Sequence, residues 1–140
     1  MSVGAKLLAG LLGVAGVTHF AAPKSFEDIV PGFLPAHRGL VYASGVAELA
    51  CAAGLVRTRT RRLAGWASAA LFVAVFPANV YQAVQGAPYG SSGVLASKAL
   101  PWLRLPLQVP LVVWALRVAR SAEAGPRAQA APRAQAAPTT

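Results

Sequence analysis

LAGWASAALFVAVFPANVYQAVQ, residues 63–85, runs without a single Asp, Glu, Lys or Arg. Its length matches the ~20 apolar residues an α-helix needs to cross the ~30 Å hydrocarbon core of a bilayer. Three further apolar stretches, roughly residues 4–22, 39–56 and 100–118, are of similar length. No sustained period-two alternation appears in them, which disfavours a β-barrel. Hydrocarbon offers no water to backbone amides, so segments of this length are expected to be helical whatever their Gly and Val content. The predicted fold class is therefore all-α: an integral membrane four-helix bundle.

Composition agrees with that reading. The chain has 140 residues, 56% hydrophobic and 12% charged, too little polar surface to cover a soluble globule. The net charge of +9 would suggest nucleic acid in a soluble protein. Here the cations fall mostly in the gaps between apolar stretches, so their role is read as topological, with no nucleic-acid partner. Lys6, Arg57, Arg59, Arg61, Arg62, Arg117, Arg120, Arg127 and Arg133 fall on one side, and Lys24, Arg38, Lys98 and Arg104 in or beside the other two gaps. The positive-inside rule then places both termini in the cytoplasm of a bacterial inner-membrane protein. A secretory signal is the competing reading of residues 4–22, but Phe20 would occupy the minus-three position, where a small residue is wanted.

Two segments lie outside the four stretches. The first external loop, Pro23 to Arg38, carries Phe26, Ile29, Val30, Phe33 and Leu34 among three prolines. Phe26, Ile29 and Val30 have helical spacing, so a short amphipathic helix ending before Pro31 is expected there, with Glu27 and Asp28 toward water. Such a segment is read either as a lid over the bundle or as an ordinary interfacial turn. At the other end PRAQAA occurs at 126–131 and again at 132–137, with almost nothing large enough to pack. The expected organisation is thus a transmembrane domain over 1–120 and a disordered cytoplasmic tail over 121–140.

Polar residues within apolar stretches bear most directly on function. Glu48 falls near the middle of the second stretch, where an unpaired ionisable group is costly and faces a partner, the bundle interior or a water-filled cavity. Ser44, Gly45, Cys51 and Ala52 share its helical face, and small neighbours let another helix approach. Asn79 and Gln82 follow Pro77 in the third stretch, Arg104 and Gln108 lie one turn apart in the fourth, and His19 stands near the outer end of the first. All six fall between the midplane and the outer surface, which predicts one polar pocket opening outward. Arg104 is the expected counter-charge for Glu48, although their depths differ by roughly 8 Å at ~1.5 Å per residue. His19, Glu48, Asn79, Gln82, Arg104 and Gln108 are equally well read as a ligand or proton-handling site and as polar glue between helices.

Cys51 is the only cysteine, which excludes an intramolecular disulfide, a CxxC pair and an all-cysteine metal site within one chain. His19 and His37 are the only histidines, so a bis-histidine haem would consume both. There is no nucleotide fingerprint, metal-ligand spacing, nucleophile motif or phosphate loop.

The segments GVTHF (16–20), PKSFEDIVPGFLP (23–35), YASGVAEL (42–49), VFPANVYQA (75–83) and LRLPLQ (103–108), taken in order, resemble the DoxX-like family of small membrane proteins. The resemblance spans about residues 4–118 and implies a four-helix membrane bundle. It also implies association with quinone-linked or thiol redox systems, and the lone cysteine leaves only an accessory role for this chain. Three functions follow as expectations: an accessory or quinone-interacting subunit with a membrane redox partner, a small-molecule binding or transport protein, and a structural partner-binding bundle. Four helices are few for an alternating-access carrier, so transport would require a homo-oligomer.

Overall fold

The computed structural model describes residues 1–86 and 97–128, with side chains described as far as Ala122. Five helices form: α1 (Val3–Ala21), α2 (Pro23–Glu27), α3 (His37–Val56), α4 (Arg61–Gln85) and α5 (Ala99–Ala128). No strand occurs among the described residues. Four helical segments, Val3–Ala21, His37–Val56, Arg61–Gln85 and Ala99–Ala122, are long and apolar enough to cross a membrane. The protein is an all-helical membrane bundle with a short helix in its first loop. α5 continues to Ala128, past the expected boundary at residue 120. The reason is that falling hydropathy marks the end of a membrane segment, while Ala, Arg and Glu continue to favour helix. The third loop over 87–96 and the expected disordered tail from 129 onward lie outside the described residues.

The helix ends follow local chemistry. At the start of α1 the Ser2 hydroxyl accepts from the Ala5 N–H at 3.3 Å, and at its end the Ala22 N–H donates to the Thr18 carbonyl just before Pro23 opens α2. Pro77 lies inside a continuous α4, a position that soluble helices tolerate poorly but membrane helices accept when neighbours satisfy the freed carbonyl. α4 stops at Gly86, whose φ of 63° supplies the left-handed turn that favours glycine.

Polarity is arranged inside out. Val3, Val14, Leu63, Val73, Val84 and Val109 are exposed, whereas His19, Ser68, Asn79, Gln82 and Gln108 are buried. An exterior of that kind is stable in lipid and not in water. α1 packs on α3 and α4 on α5, with α3 and α4 joining the two pairs; α1 and α5 touch only sparingly. The close approaches rely on missing side chains. A Cβ on Gly16 would lie 3.0 Å from the Gly45 carbonyl oxygen, and one on Gly65 would lie 2.9 Å from the Ala119 backbone.

The two halves of the bundle differ. Where α1 and α4 begin and α3 and α5 end, Ala5, Leu8, Leu12, Leu55, Ala69, Phe72, Ala115 and Val118 form one packed apolar core. At the opposite end, under the first loop, the helices enclose a cavity.

Candidate functional site

The cavity measures about 190 Å³. His19 comes to it from α1, Ser44 and Glu48 from α3, Asn79 from α4 and Arg104 from α5, while Phe26, Ile29, Val30, Pro31 and Leu34 of the first loop close it from above. Four of the six expected site residues therefore meet in one hollow, and the apolar loop residues lie over the bundle as a lid. α2 itself is short, Pro23–Glu27, and Ile29 is buried in the turn that follows it. The exposed pair Arg38 Nε–Glu27 Oε1, at 2.6 Å, ties the lid to the start of α3.

His19 supplies a cation-capable partner for Glu48: its Nδ1 lies 3.0 Å from Glu48 Oε2. Side-chain direction explains a contact that residue-counted depth hides. Helical side chains lean toward their own N-terminus. α1 runs toward the lid, so His19 leans back into the bundle; α3 runs away from the lid, so Glu48 leans up to meet it. The Nδ1–H donates to the Ala15 carbonyl at 2.8 Å. Both neighbours of Nδ1 are acceptors, so the proton of the neutral ring resides on Nδ1. That N–H is aligned on Ala15, which leaves Glu48 Oε2 buried with no hydrogen bond of good geometry. Phe26 of the lid stacks on the other side of the histidine, with ring centroids 3.9 Å apart and planes inclined by 23°. Arg104 shares the cavity wall and lies near enough for its charge to act on His19.

Beside this group, the crossing of α1 and α3 sets the spacing. A Cβ on Gly45 would lie 2.8 Å from His19 Cβ and 2.8 Å from Phe20 Cε2, so the contact between His19 and Glu48 depends on glycine at that crossing. Phe20 stacks on Tyr42 at 5.3 Å across the same pair of helices.

The two remaining expected residues belong to a different arrangement. Asn79 Nδ2 donates to Gln108 Oε1 at 3.2 Å, and Gln108 Nε2 donates to the Phe72 carbonyl. Pro77 has no N–H to offer the Val73 carbonyl, and Gln108 of α5 bonds to the carbonyl next to it, that of Phe72. Gln108 thus ties two helices together rather than lining the cavity. Gln82 is buried one turn beyond Asn79, also outside the cavity wall.

The partner of His19 was not legible in the sequence, because pairing across two helices needs a register that hydropathy does not encode. The lid residues were visible as an excess of apolar side chains in a connector. The stack of Phe26 on His19 left no sequence signal beyond that excess.

Residues 8–119 match the family model of a domain of unknown function, DUF8561. No curated protein and no solved structure matches the chain.

Proposed function

The chain belongs to the DUF8561 family, a domain of unknown function; from its sequence resemblance and its cavity we propose that it is a DoxX-like accessory subunit of a membrane redox system that holds a quinone head group beneath its lid. The proposed setting is the bacterial inner membrane with both termini cytoplasmic, as the distribution of cations favours. The observation that carries the reading is the His19–Glu48 contact in the wall of a cavity roofed by apolar side chains.

The residues present fit such a group. Pockets that enclose a whole drug-sized ligand run to ~300–1,000 Å³, so a cavity of about 190 Å³ suits a head group whose isoprenoid tail stays in lipid. Glu48 Oε2, buried without an aligned donor, is an acceptor for a hydroxyl, and Arg104 brings a positive charge to the same wall. Phe26 and Ile29 shield the polar wall from water. A quinone bound there supplies electron-carrier chemistry that takes up and releases protons. The chain's own part is to orient the head group and to hold a proton at His19 Nδ1 or Glu48 Oε2, with electrons coming from a partner protein.

A packing role is favoured for Asn79 and Gln108, whose amides bond to one another and to the Phe72 carbonyl. Binding of another amphipathic solute would use the same cavity. The deciding experiment is purification in mild detergent or native-lipid particles, followed by mass spectrometry of co-purifying compounds from wild type and Glu48→Gln. A quinone retained by wild type and lost from a folded Glu48→Gln supports the reading. A different single ligand transfers the site to solute binding, and an empty cavity in both proteins refutes it.

A further inference from the structure

At the other end of the bundle the outward seam between α3 and α4 holds a second hollow, of about 370 Å³. It is open to the lipid side: Ala50, Ala53 and Ala67, which line it, are all exposed. Loose packing does not cause it, since a Cβ on Gly54 would already lie 2.8 Å from Ala64 Cβ. The hollow exists because Ala50, Ala53 and Ala67 place only methyl groups on the outward faces of two closely packed helices, beside the exposed Leu63. From Ala50 to Arg57 it extends about 10 Å along α3, at ~1.5 Å per residue.

Its mouth is cationic. Residues 57–62 read RTRTRR, with four arginines and no acid. Arg61 folds this turn back on α3: its Nε donates to the Leu55 carbonyl at 2.9 Å and its Nη2 to the Val56 carbonyl at 3.2 Å, and the Thr60 hydroxyl donates to the Gly54 carbonyl at 2.8 Å. These bonds meet the partial negative charge at the end of α3, which would otherwise repel an anion. They also set Arg57 and Thr60 at the edge of the apolar hollow. An apolar slot opening onto arginines has the chemistry of a phospholipid: an acyl chain below and a phosphate above.

We propose that the α3–α4 hollow seats one acyl chain of an anionic phospholipid whose phosphate is held at Arg57. The site is separate from the lid cavity and does not depend on the quinone reading. The full chain, purified in mild detergent, is supplied with equal phosphatidylglycerol and phosphatidylcholine and analysed by native mass spectrometry. Wild type retains one phosphatidylglycerol in preference to phosphatidylcholine. Arg57→Gln lowers that preference about five-fold, the ratio expected for one arginine beside an anionic lipid. Ala53→Leu fills the slot and lowers retention of both lipids. Both positions are exposed, and circular dichroism with a monodisperse elution profile checks that the variants fold. Equal retention of the two lipids by wild type overturns the proposal. So does a preference that survives Arg57→Gln, retention unaffected by Ala53→Leu, or displacement of the lipid by soluble glycerol 3-phosphate, which would locate a headgroup site without an acyl seat.

Discussion

Replacing Gly45 with alanine tests the geometry on which the lid cavity rests. The new Cβ would lie 2.8 Å from His19 Cβ, 2.8 Å from Phe20 Cε2 and 3.2 Å from the Gly16 carbonyl oxygen. Carbon atoms in contact sit ~3.5–4.0 Å apart, so α1 must retreat by about 1 Å. His19 Cβ is fixed to the backbone and has no rotamer in which to escape. The same retreat stretches the 3.0 Å approach of His19 Nδ1 to Glu48 Oε2 to about 4 Å and weakens their electrostatic coupling. Overpacking of this kind typically costs ~1–3 kcal/mol. We expect a loss in that range for Gly45→Ala in reversible unfolding measured in detergent. A double-mutant cycle on His19 and Glu48 should show coupling in the parent that disappears in the Gly45→Ala background. Gly10→Ala is the control: nothing lies within 4 Å of its added Cβ, and helix propensity predicts a neutral to slightly stabilising change of up to ~1 kcal/mol. Wild-type stability in Gly45→Ala together with undiminished coupling would refute the argument.

Other perturbations separate the parts of the molecule. Gln108→Leu removes both bonds that join its side chain to α4 and should cost ~1–2 kcal/mol in the same unfolding assay; Asn79→Leu added to it should then cost less than it does alone. Glu27→Ala should speed amide exchange over residues 23–35, and raised salt should do the same to wild type, because the Arg38–Glu27 pair is exposed. Exchange that is indifferent to both changes would mean that Phe26 and Ile29 hold the lid by packing alone. In a Cys51→Ala background, Ser25→Cys should react with an impermeant maleimide added outside intact spheroplasts while Thr58→Cys is protected; the opposite pattern would invert the proposed orientation.

The architecture was legible because membrane helices declare themselves by length and apolarity. Segments read at 4–22, 39–56 and 63–85 appear as Val3–Ala21, His37–Val56 and Arg61–Gln85. Only the fourth differs appreciably, since the helix outlasts its apolar stretch. The convergence of His19, Glu48, Asn79 and Arg104 was also legible, because polar groups at similar depth in one narrow bundle have few places to go. The full set of pairings was not. Arg104 was the expected counter-charge for Glu48 on grounds of charge sign; the opposed lean of two antiparallel helices also brings in His19, at 3.0 Å. Gln108 was grouped with the pocket by depth alone, although its amide faces the α4 backbone. Depth follows from residue number, but facing depends on rotation about each helix axis, which only packing determines.

The sparse contact between α1 and α5 gives the bundle a mechanical character that a closed ring of four helices lacks. Its cross-section is a horseshoe, with α3 and α4 as the bend and α1 and α5 as the free limbs. Spreading the limbs to admit a guest larger than the resting hollow would leave the α1–α3 and α4–α5 contacts intact. Residues clustered at the closed end, Ala5 and Leu8 against Ala115 and Val118, act as the fulcrum, and the compliance falls at the lid end. Were the limbs to spread, lateral pressure from the surrounding lipid would become a term in whatever affinity the cavity has.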